Sequence, residues 1–159
     1  MRQKKRKQVE GMIDISQKKV TKRVAIASAR ITMSSKAFKL LLTEGSPKGD
    51  VFETAKVAGI MAAKSAPTLI PLCHPLELSR VKMAFALDAK RHSVITTSEV
   101  ICWGRTGVEI EALTAVSVAA LTIYDMMKWA DKGMVISDVQ LLHKSGGKSG
   151  LYTARKDSH

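Results

Sequence analysis

Cysteine is nearly missing from this chain, and its scarcity narrows the field. Cys73 and Cys102 are the only two, and they fit neither a CxxC pair nor a zinc-ligand spacing. The four histidines, His74, His92, His143 and His159, are scattered. Cys73 and His74 are adjacent, but neighbours on an extended chain point to opposite sides and rarely chelate one ion. No disulfide framework and no structural metal are expected, and a reducing cytoplasm is the expected location. Aromatic residues make up only 4% of the chain, too few for a platform on which bases stack. Long apolar runs are also missing. The longest uncharged segment, Ala112 to Tyr124, is well short of the roughly 20 residues that span a bilayer, so a soluble protein with no membrane partner is expected. The N-terminal MRQKKRKQ is basic, but no apolar segment comes after it, which argues against a secretory signal.

With 159 residues, of which 45% are apolar, the chain has material for one well-formed core. A single domain over 12–159 is expected, preceded by a basic disordered tail at 1–11. The net charge is +12, and five positive charges (Arg2, Lys4, Lys5, Arg6, Lys7) fall within the tail. The remainder is still basic, which suits an anionic partner such as a phosphorylated metabolite, a nucleic acid or a membrane surface.

Periodicity gives the elements. Thr21 to Met33 alternates as a strand, with Ala25, Ala27, Ala29, Ile31 and Met33 on one face. Ser34-Ser35 caps a short helix over Lys36 to Thr43, which stops at Gly45. Asp50 caps a longer helix to about Lys64, and Pro67, Pro71 and Pro75 interrupt the chain beyond it. Arg80 to Asp88 and Val94 to Trp103 alternate as a hairpin. A buried helix is expected from Thr106, with Glu109 at capping-box spacing, to a stop at Gly133. Met134 to Leu142 is the last strand. The order strand, helices, strand, strand, helix, strand is the split βαβ pattern of ferredoxin-like α+β domains: an antiparallel sheet with helices on one face.

Four segments carry chemistry. Asp125 and Lys128 stand three apart at the end of the buried helix and share a face; a plain salt pair is their simplest reading. Lys48 precedes the N-terminus of the second helix, where the dipole favours anions; that suits an anionic ligand shared by the lysine and the helix amides, and equally a solvated loop lysine. In LIPLCHPLEL, Pro71 and Pro75 stiffen the backbone around Leu72, Cys73 and His74. That suits backbone recognition of a planar base, and equally a structural turn. KSGGKSG (Lys144 to Gly150) is not a Walker loop, because Leu142 stands where glycine is needed and no helix comes next. Its amides with Lys144 and Lys148 would still suit phosphate. In GVEIEAL, Glu111 lacks the capping duty of Glu109. Fourteen residues of helix put Glu111 and Asp125 about 21 Å apart, so a site using both lies between subunits.

KGDVFETAKVAGIMAAK, LIPLCHPL, GRTGVEIEALTAVSVAALTIYDMMK and LLHKSGGKSG together resemble the molybdenum-cofactor biosynthesis protein C family, the cyclic pyranopterin monophosphate synthases. The likeness runs from about Met12 to Gly150. It implies a ferredoxin-like fold, assembly as a homohexamer of three dimers, and a lyase with no cofactor. The implied reaction takes 3′,8-cyclo-7,8-dihydro-GTP to cyclic pyranopterin monophosphate and releases diphosphate. By position, the resemblance puts the catalytic residues at Asp125, Lys48 and Lys128. It puts substrate binding at Leu72, Cys73, His74, Ile110 and Glu111, with a phosphate contact at Lys144. Ile110, Met127, Trp129 and Lys56 depart from the usual methionine, cysteine, small residue and arginine.

The reaction needs proton transfers as well as phosphate binding. Lys48 and Lys128, side by side, would repel and depress one lysine toward the neutral range suited to general acid–base work. Asp125 would orient Lys128 and relay a proton. The rival is an RNA-binding ferredoxin-like domain, which the net charge suggests; the first and last strands, however, hold no aromatic residue. A non-catalytic assembly subunit is a third class, separable by assay for product.

Overall fold

The computed structural model describes residues 8–155. The basic cluster at Arg2 to Lys7 and the distal His159 lie outside the described residues. The elements are β1 (Thr21–Thr32), α1 (Ser35–Thr43), α2 (Val51–Leu69), β2 (Leu78–Asp88), β3 (Ser93–Gly104), α3 (Glu109–Met127), β4 (Val135–Ser145) and β5 (Tyr152–Thr153). The strands form one sheet in the order β2-β3-β1-β4-β5, antiparallel throughout. This is the expected α+β ferredoxin-like architecture.

Alternation in β1 does what its pattern requires. Ala25, Ala27, Ala29 and Ile31 are fully buried toward the helices, and their small size lets α3 lie close on the sheet. On β3, Thr96 and Ser98 occupy the same buried face. The Ser98 hydroxyl donates to the Ala112 carbonyl (2.8 Å), and the Thr96 hydroxyl reaches the carbonyls of Ala29 and Val116. A hydroxyl buried against a helix is thus satisfied by the helix's own carbonyls. Above the sheet, α2 buries Ala55, Gly59, Ala62, Ala63 and Ala66, while α3 buries Ala112, Ala115, Ala119 and Ala120. A Cβ at Gly59 would come 3.1 Å from the Ala115 carbonyl, so the two helices meet nearly backbone to backbone.

Several expected boundaries move. α2 continues through Pro67 to Leu69. In its final turn the proline costs one backbone bond, and the Ile70 amide still reaches the Ala66 carbonyl at 2.9 Å. α3 begins at Glu109, not Thr106; its N-cap is Val108, with no side-chain capping bond. It ends at Met127, and Gly133 instead closes a turn in which its amide donates to Asp131. β4 runs on to Ser145 and pairs with β5, a strand that the sequence pattern does not announce. The expectation that no segment reaches membrane-spanning length is also revised. α3 has 19 residues with mean hydropathy 1.4, enough by length and composition to cross a bilayer. It is instead the core helix, with nine residues buried between α2 and the sheet.

Candidate active site

The expected site residues gather at the two ends of α3. At its C-terminal end, Ser46 ties the preceding loop to the helix: its hydroxyl donates to the Met126 carbonyl (2.7 Å) and accepts from the Lys48 amide (3.1 Å). Gly49 closes that turn at φ 115°, a conformation open to glycine at little cost. Lys48 is thereby aimed at α3. Its ammonium donates to one Asp125 oxygen at 2.7 Å, and Lys128 donates to the other at 2.8 Å. All three side chains are about half exposed.

The electrostatics of this trio centre on Asp125. Lys48 faces the Asp125 carboxylate, and at the α2 N-terminus the Asp50 side chain accepts from the Glu53 amide at 2.8 Å. A negative charge sits between the two lysines. Hydrogen bonding to Asp125 raises the pKa of Lys128 above its ordinary value. The same bonds, from Lys128 first and then Lys48, lower Asp125 to about 2. A carboxyl that acidic stays ionised at neutral pH. It fixes two ammonium groups side by side.

At the N-terminal end of α3 a cavity of about 440 Å³ is lined by Leu72, Cys73, His74, Ile110 and Glu111, among others. All five expected binding residues therefore share one wall system. Pro71 enters a turn closed by the Cys73 amide on the Ile70 carbonyl (3.1 Å), the position where a fixed φ serves best. Glu111 is 2% exposed. One of its oxygens accepts from the Cys73 thiol at 3.6 Å, and the other has no partner among the described residues. Burial raises the Glu111 carboxyl above its ordinary value. Burial first, then the Glu111 charge, pushes Cys73 to about 11, which makes it an inert thiol at neutral pH.

Lys144 lies at the same end. Its ammonium bridges Glu109 (3.2 Å) and the Ser149 hydroxyl (2.7 Å), so Glu109 serves Lys144 and not Thr106. Arg23, 8% exposed, donates to the carbonyls of Gly104 (3.2 Å) and Gly146 (3.3 Å) and pins the glycine loop to the sheet. Sequence reasoning misses Arg23, although a signal is present: it falls on the buried face of β1, in step with Ala25 and Ala27. A charge on an apolar face needs a reason. Lys18, which also lines the cavity, gives no such signal.

Comparison with known proteins identifies the family. A protein of Magnetococcus marinus named cyclic pyranopterin monophosphate synthase is 55% identical over 141 residues, covering 89% of this chain and 86% of that protein. Relatives with the same name occur in Desulforapulum autotrophicum, at 51% over 148 residues (93% and 91%), and in Streptomyces griseus, at 55% over 141 residues (89% and 78%). The family model described as the MoaC family matches residues 12–147. With that span and those identities, this chain belongs to the MoaC family.

Proposed function

We propose that this protein is a cyclic pyranopterin monophosphate synthase of molybdenum-cofactor biosynthesis. It converts 3′,8-cyclo-7,8-dihydro-GTP to cyclic pyranopterin monophosphate and releases diphosphate. The observation that carries this reading is the Asp125 carboxylate holding the Lys48 and Lys128 ammonium groups together in a chain of this family. A triphosphate needs fixed positive charge, and two ammonium groups set by one anion supply it without a metal ligand set.

The work is divided among the residues. Lys48 and Lys128 neutralise the phosphates. When a sugar hydroxyl attacks the α-phosphorus, its proton passes to solvent water as the bond to diphosphate breaks, and the two ammonium groups stabilise the charge on the departing oxygen. Lys128, with its raised pKa, keeps its proton and holds its positive charge through the step. Asp125 positions both lysines. At the other end, the apolar walls of the cavity take the fused ring system. Glu111 lines it as the acceptor for the N–H groups on the guanine-derived edge, its second oxygen buried and unpartnered among the described residues. Lys144 adds positive charge beside that pocket. Because α3 separates the two clusters by about 21 Å, one substrate touches both only when two copies meet end to end. The working site is therefore placed between subunits of a homo-oligomer, the hexamer of three dimers that the family resemblance implies, in the cytoplasm.

The test is turnover of enzymatically prepared cyclised GTP, monitored by pterin fluorescence after oxidation. Lys48→Ala and Asp125→Asn are expected to lose at least about 100-fold in turnover; near-normal rates in either would refute the assignment.

A further inference from the structure

Residues 8–20 form no helix or strand, yet Gly11, Ile13, Ile15 and Lys18 line the cavity that holds Cys73, His74 and Glu111. The segment thus crosses over a pocket while belonging to no layer of the fold. Its own bonds are few: a turn from the Lys18 amide to the Ile15 carbonyl (3.0 Å) and a contact from the Ser16 amide to Asp14 (2.8 Å). One side-chain bond joins it to the pocket wall opposite, where the His74 Nε2 meets the Ile13 carbonyl at 2.8 Å. A carbonyl only accepts, so the His74 Nε2 carries the proton in this arrangement.

The composition of the segment points the same way. Val9, Met12 and Ile13 are 80%, 52% and 75% exposed. Apolar side chains held by so little local structure gain only when something apolar fills the space beneath them. Segments with few buried contacts open locally at small free-energy cost.

We propose that residues 8–18 are a strap over the substrate pocket, latched by the His74–Ile13 hydrogen bond, which opens to admit the substrate and closes on its ring system. This rests on the reading of the pocket as the substrate site. It gives His74 a second task. Beside any contact with substrate, it holds the strap that carries Ile13, Ile15 and Lys18 into place. Lys18 and Lys19 are exposed in the closed arrangement, but the Lys18 amide is tied into the turn with Ile15; opening frees that backbone to take the extended form a protease binds.

Native-state trypsin cleavage at Lys18–Lys19 of the full chain, read by mass spectrometry, reports the open population. Without nucleotide, His74→Ala is expected to speed cleavage by roughly two- to tenfold, the population ratio that one ordinary hydrogen bond commands. His74→Gln, which keeps an amide donor, is expected to stay near the wild-type rate. Equal rates in all three proteins overturn the latch. In a second arm, Asp125→Asn protein is saturated with cyclised GTP, with binding measured separately by equilibrium dialysis. Bound nucleotide is expected to slow cleavage several-fold, and an unchanged rate with nucleotide bound overturns the strap. A failure to bind by dialysis counts against the substrate reading itself, and the nucleotide-free arm then decides the latch alone.

Discussion

Asp125 and Glu111 are both carboxylates on α3, and their surroundings drive them in opposite directions. Asp125 is lowered to about 2 by its two lysines. Its ion pairs therefore contribute fully above the ordinary carboxylate value and are lost as the pH falls through about 2. Carbon-detected NMR titration should find Asp125 near 2, moving upward in Lys128→Ala; an Asp125 titrating at the ordinary carboxylate value in the wild type would contradict the clamp. Glu111 is raised by burial, so its contribution is present at acid pH and is lost as the pH climbs through the raised value. Glu111→Gln should gain on the order of 1 kcal/mol of stability at pH 7 and at the same time bind nucleotide more weakly. A lower Tm in that variant would show that the buried charge is satisfied after all. At this scale the sequence is unevenly legible. The acid and amines of IYDMMK and KGD stand out as a cluster. That Asp125 sits between the lysines, and so raises Lys128, depends on a loop geometry set by Ser46 and Gly49.

Strands and helices obey local chemistry, and their ends obey tertiary contacts. Period-two alternation places β1 to within one residue, and Ser34 caps α1 as expected, accepting from the Ala37 amide at 3.2 Å. Ser34→Ala should cost about 1 kcal/mol in chemical denaturation. The misplaced ends share a cause. Pro67 reads as a breaker, but the final turn of a helix tolerates it, and packing of Ala63 and Ala66 carries α2 onward. Thr106 reads as a cap, while its supposed partner Glu109 is committed to Lys144. β5 is illegible in the sequence because two residues carry no periodicity. The glycine loop between β4 and β5 is the element most exposed to test. Gly147 has φ 77°, and a Cβ there would fall 1.7 Å from an Arg23 nitrogen. Gly147→Ala should therefore displace Arg23 or the loop, cost about 1–3 kcal/mol, and weaken substrate binding through Lys144. A variant with wild-type Tm and KM would sever the loop from the site.

For the molecule as a whole, the composition speaks clearly about the partner and less clearly about geometry. A basic body with few aromatics and no metal-ligand spacing suits a phosphorylated small molecule, and the family shown by the comparisons is named for making one. The order of elements points to the ferredoxin-like sheet because a split βαβ pattern has few other ways to bury its helices. A single chain carries two clusters of charged and pocket-lining residues at opposite ends of its most apolar helix, and under the proposed function they are two half-sites that helical rise keeps too far apart for one substrate to touch both. That division is the central claim, and subunit complementation tests it most directly. Asp125→Asn, slow in turnover, and Glu111→Gln, weak in binding, are unfolded together and refolded as a mixture, and turnover of cyclised GTP is assayed at nucleotide too dilute to load Glu111→Gln alone. If each site draws Asp125 from one copy and Glu111 from another, about half of the randomly formed dimers hold one intact site, and the mixture regains about a quarter of wild-type activity. A refolded, mixed oligomer with no more activity than its parents would contradict the account.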